Sequence, residues 1–158
     1  VRRRVSVLGA GCCGPEVYEQ AKELGRLLAQ NGFTVVCGGL QGVMQAACEG
    51  AKSENGLTIG ILPGPDREAA NEFVDIPLAT SLSHMRNYLV VLNGDIAVAV
   101  EGESGTLSEL ALALKSGKKV IALGRWGDMP GVIPARDAQE AVNLVMKELA
   151  GNVSSRSS

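Results

Sequence analysis

What most constrains this chain is an alternation. Short β-rich runs at Arg4–Leu8, Thr34–Cys37, Thr58–Leu62, Ile96–Val100 and Val120–Leu123 take turns with amphipathic stretches at Pro15–Asn31, Gly42–Glu54, Ser83–Asn93, Thr106–Ser116 and Ala138–Leu149. Parallel strands must be joined by crossovers, usually helical, so the alternation predicts an α/β architecture. The expected form is a doubly wound, mainly parallel sheet with helices on both faces. The chain is 158 residues long, enough for one domain with a real core. No repeat or linker divides it, so residues 1–150 are read as one domain and the polar GNVSSRSS of residues 151–158 as a flexible tail.

The helix ends carry their own signals. Pro15 follows Gly14 as a first-turn proline, and Asn31-Gly32 and Ser116-Gly117 supply stops. Asp137 with Glu140 reads as a capping box. Two helices carry more apolar surface than one core can cover. Met85, Tyr88, Leu89, Val90, Val91 and Leu92 leave Ser83–Asn93 little polar face, and Leu112 and Ala113 lie across Thr106–Ser116 from its Leu107, Leu110, Ala111, Leu114 stripe. A helix apolar nearly all round is buried nearly all round, so a homodimer or homotetramer through these helices is expected.

Three glycine turns leave a strand and enter a helix: GAGCCG (Gly9–Gly14), CGGLQG (Cys37–Gly42) and EGESGT (Glu101–Thr106). In an open parallel sheet all three converge on the carboxyl rim, where ligands bind. Each presents backbone N–H groups at a helix N-terminus, which suits phosphate. The first turn reads literally as G-x-G-x-x-G, the dinucleotide spacing. That reading also requires an Asp or Glu ending the second strand, and here Cys37-Gly38-Gly39 follows instead. NAD is therefore the poorer choice, and the rim is read as a smaller nucleotide site. Its candidate ligand-binding residues are Gly9, Gly11, Gly38, Gly39, Gly42, Ser104, Gly105 and Thr106.

Two residues are candidates for chemistry. Arg86 falls at the start of a helix, where a cation opposes the macrodipole at a cost of about 0.3–1 kcal/mol unless an anion or acid neutralises it. The alternative is a surface arginine lying over its helix. Glu109 closes GTLSE, and Thr106-x-x-Glu109 is itself a capping-box pattern, a complete structural explanation for both residues. Arginine and carboxylate at one phosphate cleft would instead stabilise or protonate a leaving group. His84, the single histidine, is read as structural. Trp126 is read as a loop residue covering the core, with stacking on a ligand ring as the alternative.

Composition excludes several classes. A net charge of −2 argues against nucleic acid as a partner, and 3 % aromatic residues leave few platforms for stacking bases. No apolar run approaches the about 18 residues of a membrane span, and VRRRVSVLG lacks the apolar region of a secretory signal. No membrane association and a cytoplasmic location are expected. Cys12, Cys13, Cys37 and Cys48 form no CxxC, so no metal site is expected, and Cys12 and Cys13 are read as small residues filling a tight turn.

The motifs CGGLQGVMQAACEGA, IGILPGPD, HMRN and ESGTLSE follow in an order that resembles the lysine-decarboxylase-like proteins of the Rossmann-fold SLOG superfamily. The resemblance spans about Val5 to Leu123 and implies a Rossmann-like fold. Two branches are similar. The cytokinin-activating "Lonely guy" phosphoribohydrolases cleave the N-glycosidic bond of a nucleoside 5′-monophosphate with an Arg and a Glu, onto which Arg86 and Glu109 fall. The molybdenum-cofactor carrier proteins and their prokaryotic relatives match GILPGPD, VDIP and GTLSELALALKSGKKV more nearly. The resemblance therefore implies a carrier-like binding protein. Its ligand would be a small phosphorylated molecule, either the molybdenum cofactor or a nucleoside monophosphate, and no other cofactor is required. A phosphoribohydrolase and a ligand-sensing module are the alternatives. Against the hydrolase pattern, Glu103 replaces a glycine, Asn87 replaces a lysine, Glu101 adds a second carboxylate, and Ser81 and Ser83 stand where relatives often have glycine. Lysine decarboxylation is not expected, because every lysine lies on a helix or helix end, away from the glycine rim.

Overall fold

The structure, a computed structural model, describes residues 2–155. A single seven-stranded sheet runs through it, with every neighbouring pair parallel. The strands are β1 (Arg4–Gly9), β2 (Thr34–Cys37), β3 (Thr58–Leu62), β4 (Ile76–Ala79), β5 (Ile96–Val100), β6 (Val120–Leu123) and β7 (Val132–Ala135), in spatial order β4-β3-β2-β1-β5-β6-β7. The helices are α1 (Pro15–Gln30), α2 (Val43–Ser53), α3 (Arg86–Leu92), α4 (Ser104–Lys115) and α5 (Ala138–Ser155). This is the doubly wound α/β, Rossmann-like fold. α5 runs on past Leu149, where the apolar pattern stops, to Ser155; residues 156–158 of the expected tail lie outside the described residues.

Alternation along each strand sorts the core into two layers. Ile96, Val98 and Val100 of β5 face a cluster built from α1, α2 and α5, with Leu24, Leu28, Ala47 and Val145 among its buried members. Ala97 and Ala99 face the other way, against Val90 and Val91 of α3 and Leu110 and Ala113 of α4. Ser6 also points to that side, and its hydroxyl donates to the Val90 carbonyl at 2.7 Å, so a buried polar group is satisfied.

The two strands absent from the sequence reading are the two edges. β4 contains Pro77 and β7 contains Pro134. Proline cannot donate to a ladder, so it is tolerated only where one side of a strand has no neighbour, and both strands occupy such places. Three helix starts follow the carboxyl ends of β1, β2 and β5. The strand order reverses between β1 and β5, and the crevice at that point is where open α/β sheets bind ligands.

Candidate functional site

A cleft of about 340 Å³ opens at this rim. It is lined by the β1 turn (Gly9, Ala10, Gly11), the β2 turn and α2 (Gly38, Leu40, Met44), the start of α3 (His84, Arg86, Asn87) and the start of α4 (Glu103, Gly105, Thr106, Glu109), with Val7 beneath. Of the residues singled out in the sequence, Gly9, Gly11, Gly38, Arg86, Gly105, Thr106 and Glu109 meet here. Gly39, Gly42 and Ser104 stand outside the lining.

Close backbone approach explains two of the glycines. A Cβ on Gly38 would sit 2.7 Å from the Arg86 guanidinium, so the floor must be bare for the arginine to lie on it. Gly42 has φ 65°, and a Cβ there would fall 2.3 Å from the Ala10 carbonyl. That contact lets Val43 N–H donate to Ala10 O at 3.0 Å and locks the first two turns together.

Arg86 is 9 % exposed, which rules out the surface-arginine reading. Its guanidinium donates to the Asn87 side-chain oxygen and, at 3.5 Å, to the Gly38 carbonyl, while Nε is buried with no partner. Burial lowers the Arg86 pKa, and the charges of Glu109 and Cys37 act in the opposite sense.

Glu109 is equally buried. The capping-box reading of Thr106 and Glu109 fails because the helix starts three residues earlier than that pattern requires. Glu103 is the N-cap, it makes no side-chain cap bond, and α4 begins at Ser104. Thr106 stands in the first turn and Glu109 in the second, with Glu109 lining the cleft. Burial pushes its carboxyl up to about 7, and the Arg86 charge pulls it down. A carboxyl in that range holds or releases a proton near neutrality, which is what acid–base chemistry asks of it. The first N–H groups of α4 have no intrahelical carbonyl to bind, and Gly105 and Thr106 bring them to the cleft wall.

The two extra carboxylates separate. Glu101, at φ 44°, packs over Gly124 and lines a neighbouring cavity of about 240 Å³ together with Cys12, Cys13 and Arg125. Glu103 borders both spaces. Trp126 stays out of the cleft: it packs on the α3–α4 side of the core, with Arg125 stacked 4.7 Å from its ring. Cys37 and Cys48 are buried in sulfur contact at 3.5 Å behind the β2 turn. Among the described residues no group of His, Cys, Asp and Glu is arranged to hold a metal ion, and no helix is long and apolar enough to cross a membrane.

Sequence reasoning did not place Leu40, Met44, Asn87 or His84 at the site. Asn87 read as a lost lysine. It is instead the acceptor that orients Arg86, a part no lysine can play. His84 read as structural, but it is exposed on the cleft wall.

A seven-strand parallel sheet with glycine turns, an unpartnered arginine Nε and a protonatable glutamate gathered at its switch point defines a Rossmann-like domain with a cleft at its carboxyl rim. More narrowly, residues 2–152 match the SLOG cluster4 family, and the chain belongs to that family. It is 41 % identical over 140 residues to an uncharacterized protein of Archaeoglobus fulgidus, covering 89 % of this chain and 92 % of that one. Among solved structures, the molybdenum cofactor binding protein of Rippkaea orientalis superposes with a TM-score of 0.90 at 34 % identity, over 94 % of this chain and 98 % of the other. The molybdenum cofactor carrier protein of Chlamydomonas reinhardtii does so with a TM-score of 0.88 at 36 % identity, over 95 % and 99 %. A cytokinin riboside 5′-monophosphate phosphoribohydrolase of Mycobacterium marinum is 28 % identical over 127 residues, covering 75 % of this chain and 68 % of that enzyme.

Proposed function

We propose that this protein binds a small phosphorylated, nucleotide-like ligand in the Arg86–Glu109 cleft, as a carrier of the molybdenum cofactor. The observation that carries the reading is how Arg86 is held. Its guanidinium lies against the Gly38 carbonyl and the Asn87 amide, while its Nε has no partner. A fixed, desolvated cation beside free helix N–H groups is a ready counter-charge for phosphate. The near full-length likeness to two molybdenum-cofactor proteins supports the choice of ligand. Pockets for small ligands run from roughly 300 to 1,000 Å³, so a cleft of about 340 Å³ suits a mononucleotide or a pterin phosphate better than a dinucleotide. In this reading the glycine turns and Thr106 seat the phosphate, and Leu40 and Met44 give the ring an apolar wall. A homodimer or homotetramer forms through α3 and α4. The test is co-elution: molybdenum cofactor mixed with the protein should travel with it through gel filtration, and Arg86→Ala should release it. Cofactor eluting free of the wild-type protein would overturn the reading.

A second reading rests on Glu109. A carboxyl held at about 7 beside an arginine is equipped to protonate a departing base, the chemistry of a nucleoside monophosphate phosphoribohydrolase. Glu109→Gln would then abolish release of the base and leave binding intact.

A further inference from the structure

We infer that His84 is the side chain that reads the ligand's phosphate, an inference that rests on the proposed nucleotide-like ligand. The first support is charge balance. Glu103 and Glu109 line the cleft with Arg86, so an entering anion meets two carboxyl groups against one guanidinium, whose terminal nitrogens also serve Gly38 and Asn87. His84 is the other cleft-lining side chain able to carry positive charge. Among the described residues no hydrogen bond or ion pair engages its imidazole. Imidazole donates a hydrogen bond in either protonation state and is a cation when protonated.

The second support is how the residue is held. Ser81 and Ser83 adopt φ 56° and 53°, the left-handed region that disfavours any residue with a Cβ. Conformations of that kind are strained and persist where the surroundings impose them. Here the imposing groups are carbonyls of the loop after β3. Gly64 O accepts from the N–H groups of Thr80 and Ser81, each at 3.1 Å, and Pro63 O accepts from Ser83 N–H at 3.0 Å. The Thr80 hydroxyl adds a bond to Leu62 O at 2.7 Å. Residues 80–83 are thus clamped into an arch that delivers His84 to the cleft two residues before Arg86. A residue placed in this way and left without a partner is arranged for something that arrives from outside.

The experiment is calorimetric titration of AMP and of adenosine into the wild-type protein, His84→Ala and His84→Gln. His84→Ala is expected to weaken AMP about tenfold and leave adenosine unchanged, since only AMP carries the phosphate. His84→Gln, which keeps a neutral donor, is expected to recover part of the loss. His84 is exposed, so the melting temperature of both variants should stay at the wild-type value. Equal losses for AMP and adenosine, or no loss for either, would overturn the assignment. Wild-type protein that binds neither compound would instead overturn the ligand reading, and the inference with it.

Discussion

The two faces of the sheet are built to different standards. On one, α1, α2 and α5 close over Val5, Val35, Val98, Ile121 and their neighbours, and the helix residues that meet them are almost wholly buried. On the other, α3 and α4 cover the sheet with Val90, Val91, Leu110 and Ala113 but leave Met85 75 %, Tyr88 44 %, Leu92 48 % and Leu107 37 % exposed. That second face also holds Arg86 and Glu109, the buried pair of charged groups at the cleft. The first face supplies stability. The second gives some of it up to carry a desolvated charge pair and an unfinished apolar surface.

Substitutions should separate the two. On the closed face, Leu28→Ala leaves a cavity under a side chain with no exposure and is expected to cost about 2–5 kcal/mol in denaturant unfolding. A cost near zero would mean that this face is not the main core. On the open face Glu109 should oppose folding at high pH. Its folded value of about 7 lies above the ordinary 4.5, so between those limits the unfolded chain gives up its proton first. Stability from this residue is complete below pH 4.5 and is lost as pH rises through about 7, an effect on the order of 3 kcal/mol. Glu109→Gln should remove that decline and be the more stable protein at pH 8; a pH profile unchanged by the substitution would contradict the burial argument. The smallest effect on stability is expected at the exposed apolar surface. Met85→Asp should change the unfolding free energy by about 0.5 kcal/mol or less. If α3 and α4 meet a second copy, the same variant should lower the sedimentation mass to that of a monomer. Met85→Asp that sediments with the wild type would exclude Met85 from any such interface.

How much of this could be read in the sequence divides along the same line. The central strands were legible because each is a short apolar run bounded by turn signals; Thr34–Cys37, Thr58–Leu62, Ile96–Val100 and Val120–Leu123 match the structure at both ends. The edge strands were not, since Pro77 and Pro134 break the signal, and only the whole sheet shows that an edge tolerates them. At the site, Arg86 could be picked out as a cation at the wrong end of a helix, and Glu109 as a carboxylate beside it at a glycine turn. Their burial could not: that of Glu109 depends on where α4 begins, and the Thr106–Glu109 spacing imitates a cap three residues too late. His84 was hidden by its arch. Glycine at positions 81 and 83 would have announced a left-handed backbone, whereas serine gives no such sign.

The proposed carrier would hold its ligand in the cleft without consuming it. The direct test is chromatography of AMP and GMP after incubation with the wild-type protein, beside Glu109→Gln and Arg86→Ala. Intact nucleotide is expected in every sample, with the nucleotide raising the melting temperature of the wild type and not of Arg86→Ala. Free adenine or guanine released by the wild type and absent from both variants would contradict the carrier reading and make the protein a phosphoribohydrolase.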